Sequence, residues 1–247
     1  MSLNGKVVLI TGGSKGIGRA TAERVAADGA SVVINYLSDS KAANEVVSQI
    51  GADRALAVQA DASKIADMEK LVAAAVDRFG KIDVLMPNAG LMRMHDLAHT
   101  SETDFDQHFN LNVKGPLFLA QKAVAHMPSS GGRVIFVSSG LATSSSVQPG
   151  HLLYAATKGA VEQMVRTLAK ELAPRGITVN AVAPGPTATE LFYNGKSEQM
   201  VEALKRQSPF ARLGEPAEIA GVVAFLAGEE SKWVSGQTLR VNGANMV

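Results

Sequence analysis

The chain has no cysteine among its 247 residues. That excludes a disulfide framework, a thiolate metal site and a cysteine nucleophile. An excess of one charge is missing too: 24 Lys and Arg stand against 23 Asp and Glu, for a formal net charge of +1. No broad field therefore draws in nucleic acid or an anionic membrane, and a single Trp offers little for bases to stack on. No apolar run approaches the roughly 18 residues of a membrane span. The opening Met1-Ser2-Leu3-Asn4-Gly5 enters the first apolar stretch without the basic and long apolar regions of a secretory leader. The expectation is a cytoplasmic protein that binds neither nucleic acid nor membrane.

What is present is ordinary for an α/β protein, with 46% hydrophobic and 19% charged residues. Short Val, Ile and Leu runs alternate with amphipathic stretches. Strands are expected near Val7–Ile10, Ser31–Tyr36, Arg54–Gln59, Ile82–Met86, Arg133–Val137, Ile177–Val182 and Gln237–Val241. Helices are expected from Gly16 to about Asp28, Ser38 to Ile50, Lys64 to Phe79, Asp104 to about Met127, Leu153 to Ala173 and Pro216 to Ala227. A looser segment runs from Pro184 to Ser208. Strands of mostly Val, Ile and Leu, alternating with amphipathic helices, point to a parallel sheet covered on both faces. Right-handed crossovers make this a single-domain Rossmann-type doubly wound sheet of about seven strands over residues 1–247, with its ligand crevice at the carboxyl ends of the strands.

The stretch that organises the chain is Thr11-Gly12-Gly13-Ser14-Lys15-Gly16-Ile17-Gly18. A glycine turn between a strand and a helix leaves free N–H groups at the positive helix end, where a pyrophosphate can sit. Gly12 lets the turn tighten, Gly16 lets a phosphate approach, and Gly18 lets the helix pack on the strand. Further suspects follow each later strand: Asp61 and Ala62, then Asn88-Ala89-Gly90, then Ser138-Ser139, then Pro184-Gly185. Tyr154 and Lys158 lie one turn apart on one helix face. An ammonium beside a phenol favours phenolate and pulls the tyrosine down from about 10 towards neutral, ready to exchange a proton.

Together these residues resemble the short-chain dehydrogenase/reductase family, of 3-oxoacyl-carrier-protein reductase-like type, over essentially the whole chain. The resemblance implies that Tyr154 is the general acid, that Ser139 binds the carbonyl oxygen, and that Lys158 holds the nicotinamide ribose and keeps Tyr154 acidic. It implies that Asn112 holds a water linking Lys158 to solvent, with Asn110 turned away from it. Ser138 is expected to point the other way from Ser139. Ser14, Ile17 and the glycines would cradle the cofactor. Asn88, Ala89 and Gly90 would back the adenosine ribose, and Pro184, Gly185, Thr187 and Thr189 would meet the nicotinamide carboxamide. A homotetramer is also implied.

The end of the second strand separates the two nicotinamide cofactors. An NAD site carries an acid there for the ribose 2′-OH. Here Asn35-Tyr36-Leu37-Ser38 carries none. Lys15 can reach a 2′-phosphate, and Asn35, Tyr36 and Ser38 can add neutral hydrogen bonds, so NADP(H) is expected. Met92, Met94, Leu141, His151, Leu191 and Phe192 are expected to line an apolar substrate pocket, covered by residues 190–207. His95 and His99 have metal-pair spacing but no third ligand in a motif, so no metal site is expected. The reading is a reductase of an apolar ketone or aldehyde. A carrier-protein-linked 3-oxoacyl substrate is the alternative, to which Arg175 is the candidate guide, although the Met127–Gly132 turn carries no basic residue. A non-catalytic NADP(H) sensor is a remote third.

Overall fold

The computed structural model describes residues 2–129, 131–145 and 147–246. Met1 of the opening stretch and Ser130 of the Met127–Gly132 turn lie outside them. The strands are β1 (Val7–Ile10), β2 (Ser31–Tyr36), β3 (Ala55–Gln59), β4 (Val84–Met86), β5 (Arg133–Val137), β6 (Thr178–Pro184) and β7 (Thr238–Val241). They form one parallel sheet in the order β3-β2-β1-β4-β5-β6-β7.

Successive strand side chains point to opposite faces, and the core divides accordingly. Leu9, Val33, Leu85, Val134 and Phe136 pack on one face against helices α3 (Ile65–Phe79), α5 (Gly115–Val124) and α6 (Leu152–Leu172). Val8, Ile10, Ile34, Met86 and Ile135 pack on the other against α1 (Gly16–Ala27), α2 (Ser40–Ile50) and α9 (Pro216–Ala227). Both faces being covered explains why the central strands β1 and β4 are apolar and buried at every position. Phe136 is fully buried, and its truncation to Ala would cost about 3–5 kcal/mol.

The strand order reverses at β1, which has β2 on one side and β4 on the other. Outside that switch point the loops after β1 and β4 diverge and leave a crevice. The two loops are tied together. Thr11 Oγ1 accepts from the amides of Asn88 (3.0 Å) and Ala89 (2.9 Å), and Asn88 Nδ2 donates to the carbonyls of Thr11 (2.8 Å) and Gly12 (3.2 Å).

Two expectations of local structure are corrected. The long helix expected from Asp104 to about Met127 is broken into α4 (Glu102–Phe109), a π-helical turn (Asn110–Lys114) and α5. It starts earlier because Ser101 and Asp104 form a reciprocal capping box. The π turn precedes Gly115-Pro116. Pro116 has no N–H to donate, and a Cβ on Gly115 would sit 2.0 Å from the Ala62 carbonyl, so the backbone must pass close there. The segment expected to be loose after Pro184 holds two helices, α7 (Glu190–Tyr193) and α8 (Glu198–Gln207), capped by the side chains of Thr189 and Ser197. The other elements shift by one or two residues at their ends. No helix among the described residues is long and apolar enough to cross a membrane.

Candidate active site

The glycine turn is a cradle in shape and charge. Gly12 (φ +63°) and Gly16 (φ +53°) take the left-handed conformation that favours glycine. A Cβ on Gly18 would lie 2.2 Å from the Gly12 carbonyl, so α1 sits directly against the turn. The N-cap of α1, Lys15, makes no side-chain cap, and no acid occupies the first turn. Its N–H groups and positive dipole end are left for an anion.

This cradle opens into one cavity of about 1210 Å³ along the carboxyl edge of the sheet. On its floor Ser139 and Tyr154 come together, close enough for the serine hydroxyl to favour the ionised phenol. Ser139 sits just past β5, and Tyr154 is on the first turn of α6, so the β5–α6 connection brings them together. Lys158, one turn on, is almost wholly buried. Its ammonium donates to the Val137 carbonyl (2.7 Å) and lies 5.5 Å from the centroid of the Tyr154 ring. Burial lowers the Lys158 pKa to about 8.

The expected lowering of the tyrosine is not seen here. Burial raises the Tyr154 pKa above its ordinary value, and the Ser139 hydroxyl only partly opposes it. The physical reason is direction: the ammonium donates to a backbone carbonyl, while the phenol is removed from water. Ser138, also on the cavity wall, turns to donate to the buried carboxylate of Glu162 (2.9 Å).

Asn112 is buried on the π turn behind the cavity. Its Oδ1 accepts from the Leu91 amide (2.9 Å), and Nδ2 donates to the Leu91 carbonyl (3.0 Å) and to Thr157 Oγ1 (3.1 Å). Both amide hydrogens are therefore in use, leaving one lone pair of Oδ1 for anything further. The side chain braces the loop after β4 against α6.

At the other end, Lys15 is not a free cation. Its ammonium bridges Asp39 (2.9 Å) and Glu190 (3.0 Å), and these carboxylates raise its pKa, Asp39 first. An acid is thus present near the end of β2 after all, four residues beyond Asn35. The Asn35 side chain is buried and committed. It accepts from the Gly12 amide (3.2 Å) and donates to the carbonyls of Ala60 (2.6 Å) and Tyr36 (3.2 Å). It shapes the cradle from beneath instead of reaching a 2′-phosphate. Tyr36 is half-buried against the core, and Ser38 is exposed. Neither lines the cavity.

Of the other residues expected at the cofactor, Gly12, Lys15, Gly16, Ile17, Asn88, Ala89 and Gly90 line the cavity, as do Pro184, Gly185, Thr187 and Thr189. Thr187 Oγ1 donates to the Gly185 carbonyl (2.9 Å), and the Thr189 hydroxyl caps α7. Ser14, Gly18, Asp61 and Ala62 lie off the cavity. Burial works against the Asp61 charge, but the Ser63 hydroxyl (2.7 Å) and amide (3.0 Å), with Lys64, hold its pKa below the usual value.

All six residues expected to meet substrate are on the wall: Met92, Met94, Leu141, His151, Leu191 and Phe192. His95 and His99 instead face Asp104 (3.5 Å) and Asp96 (2.6 Å). Missed from sequence were Gln148 and Met246, and Lys196, Met200 and Leu204 were covered only by the expected 190–207 segment without being singled out. Met200 and Leu204 share one face of α8 at i, i+4, a spacing that could have been read. Met246 returns from the chain end to pack on Gly140, and nothing local announces it. Arg175 is displaced from its expected use. It precedes β6, at the amino edge of the parallel sheet and away from the cavity, and donates to the Val124 carbonyl (2.8 Å).

A doubly wound sheet with an anion cradle at its switch point, opening onto a Ser–Tyr–Lys cluster, defines a class of nucleotide-binding α/β proteins. Comparison narrows that class. A family model described as enoyl-(acyl carrier protein) reductase matches residues 12–244. The short chain dehydrogenase/reductase dmxR18 of Cryptosporiopsis sp. is 41% identical over 255 residues, covering 98% of this chain and 96% of that protein. An NADPH-dependent aldehyde reductase-like protein, chloroplastic, of Arabidopsis thaliana is 40% identical over 258 residues, with 98% and 95% covered. Among solved structures, a blue fluorescent protein from a metagenomic library, in complex with NADPH, superposes with a TM-score of 0.94 at 39% identity over 100% of both chains. The chain belongs to the short-chain dehydrogenase/reductase family of oxidoreductases.

Proposed function

We propose that this oxidoreductase is an NADP(H)-dependent carbonyl reductase that acts on an apolar ketone or aldehyde and, in reverse, on the alcohol. The observation that carries the reading is the Ser139–Tyr154 hydroxyl pair above Lys158, on the floor of the cavity that the glycine cradle enters.

The residues present fit the cofactor. The uncapped, acid-free N-terminus of α1 suits a diphosphate, and left-handed Gly12 and Gly16 keep side chains out of its way. No acid ends β2 itself, and Lys15 can exchange a carboxylate for a 2′-phosphate. The names of the Arabidopsis relative and the metagenomic structure support the same choice. When bound, the reduced nicotinamide supplies a hydride for the carbonyl carbon.

The chain's own groups do the rest. Ser139 donates a hydrogen bond to the carbonyl oxygen, where negative charge develops. Tyr154 gives that oxygen its hydroxyl proton and becomes phenolate. The Lys158 ammonium, 5.5 Å from the ring, would hold the nicotinamide ribose. Asn112 keeps the loop after β4 and α6 in register. Thr187 and Thr189, both on the cavity wall, would meet the carboxamide. Met92, Met94, Leu141, Leu191 and Phe192 exclude water and favour an apolar substrate body. We also infer a homotetramer: Trp233, 97% exposed between α9 and β7, is an apolar side chain that a neighbouring subunit would cover.

The test follows the loss of reduced-nicotinamide absorbance with apolar ketones, aldehydes, an acetoacetyl thioester and a sugar ketone. The expected result is turnover of apolar carbonyls that requires NADPH. Equal or better kcat/KM with NADH would overturn the cofactor assignment, and preference for the sugar would overturn the substrate class. Sedimentation as a single 25.8 kDa species would refute the tetramer.

A further inference from the structure

The charged groups of the cavity are unevenly matched. Lys15 has two carboxylates, and Glu190, the one carboxylate on the wall among the described residues, is engaged with it. Lys158 is buried on the floor against a carbonyl. Lys196, between α7 and α8, has no carboxylate partner among the described residues. Its ammonium donates to the Phe192 carbonyl (2.6 Å) and lies 4.8 Å from the centroid of the Phe192 ring. These contacts fix its position but use one of its three N–H donors. The side chain is half-buried against Phe192, in a cavity whose wall also carries Met200 and Leu204.

A partly desolvated cation without a counter-ion is unfavourable unless something pairs with it. Burial lowers the Lys196 pKa. His151, three residues before Tyr154, lines the same cavity. Burial lowers its pKa first and the Lys196 ammonium lowers it further, both favouring the neutral imidazole. Among the described residues, no carboxylate answers the Lys196 charge at the substrate end.

We propose that Lys196, with His151 beside it, forms an anion subsite in the substrate cavity, and that the substrates are oxo acids: an apolar body with a reducible carbonyl and a carboxylate. This deepens the reductase reading and rests on it. The carbonyl oxygen meets Ser139 and Tyr154, the apolar body lies along the methionines and Phe192, and the carboxylate meets the Lys196 ammonium. A charge-assisted hydrogen bond in an apolar setting is worth enough to orient a flexible substrate. Lys196 would then set which carbonyl of a substrate reaches Tyr154.

The experiment uses a homologous series of linear methyl-ketone carboxylates, each beside its own methyl ester, so that charge changes while the carbon chain stays nearly constant. Turnover with NADPH and calorimetric binding to the NADPH-loaded protein are measured for wild type, Lys196→Met and Lys196→Arg. The expected result is that at least one acid is favoured over its ester in binding and kcat/KM by about tenfold. Lys196→Met should erase that preference, read as the acid-to-ester ratio within the variant, and Lys196→Arg should restore most of it. If the esters turn over as well as the acids, or Lys196→Met leaves the ratio unchanged, the subsite is refuted and the reductase stands. If acids bind with the Lys196-dependent preference but nothing is reduced, the subsite stands and the reductase reading falls. Absence of any preferential acid binding refutes the subsite whatever the turnover.

Discussion

On the floor of the cavity Ser139, Lys158 and Asn112 are each less than a tenth exposed and held by hydrogen bonds, whereas on the α7–α8 wall Leu191, Tyr193 and Met200 each expose more than two-fifths of their surface. Val201 is the one buried residue of α7 and α8. The floor is fixed by the sheet: β5 delivers Ser139, α6 delivers Tyr154 and Lys158, and the π turn delivers Asn112. The wall rests on two capped helices and a few contacts, the Lys15–Glu190 ion pair among them. On the proposed function, reaction type belongs to the well-packed floor, and substrate choice to the wall, whose side chains can change at small cost in stability.

The largest expected effect is at the floor. Tyr154→Phe removes the proton donor and keeps the ring, so kcat should fall by roughly 10²–10⁴ while NADPH affinity stays within a few fold. Next is Gly18→Ala. Its Cβ would meet the Gly12 carbonyl at 2.2 Å. Overpacking there should cost roughly 1–3 kcal/mol in denaturant melts and weaken NADPH binding, because the turn must shift.

A third prediction concerns pH. Burial lowers the Lys158 pKa from 10.5 to about 8. Between those values the unfolded chain holds a proton that the folded chain has released, so stability of the cofactor-free protein should rise with pH. Tyr154, with its pKa raised from 10.0, works the other way once pH passes 10. The rise is therefore read from about 8 to just below 10. In Lys158→Met it should flatten. An undiminished rise in the variant would show that this ammonium is not its cause.

The smaller effects belong to the wall and the cradle rim. Met200→Ala should shift KM for an apolar ketone several-fold and leave unfolding free energy within about 0.5 kcal/mol, since the residue is 42% exposed. A large stability loss there would erase the contrast between floor and wall. Smallest of all, Asp39→Asn frees Lys15 from one carboxylate and should raise the NADPH-over-NADH ratio by a few fold. An unchanged ratio would show that Lys15 takes no part in the choice.

How far the sequence could be read follows the same division. The strands and the cradle were legible because each apolar run and glycine turn is local; spacing put Tyr154 and Lys158 on one helix face, and only the family resemblance joined Ser139 to them. The π turn was not, because α4 and α5 keep a continuous helical pattern, and only Gly115-Pro116 hints at the break. Helix α7 has four residues, too few for a period, although its Thr189 cap was visible. The commitment of Asn35 to the Gly12 and Ala60 backbones, and of Lys15 to Asp39 and Glu190, depends on tertiary pairing that spacing does not encode. For the same reason the Tyr–Lys spacing indicated which groups meet but not the direction in which the ammonium points.

The most direct measurement takes wild type and Tyr154→Phe side by side, titrating each with NADPH and then mixing the loaded proteins with one apolar ketone in a single turnover. The account predicts matching NADPH affinities, rapid loss of reduced-nicotinamide absorbance in wild type, and a loss slower by at least about a hundredfold in the variant. Equal rates would contradict it, since the proton would then come from a group other than Tyr154.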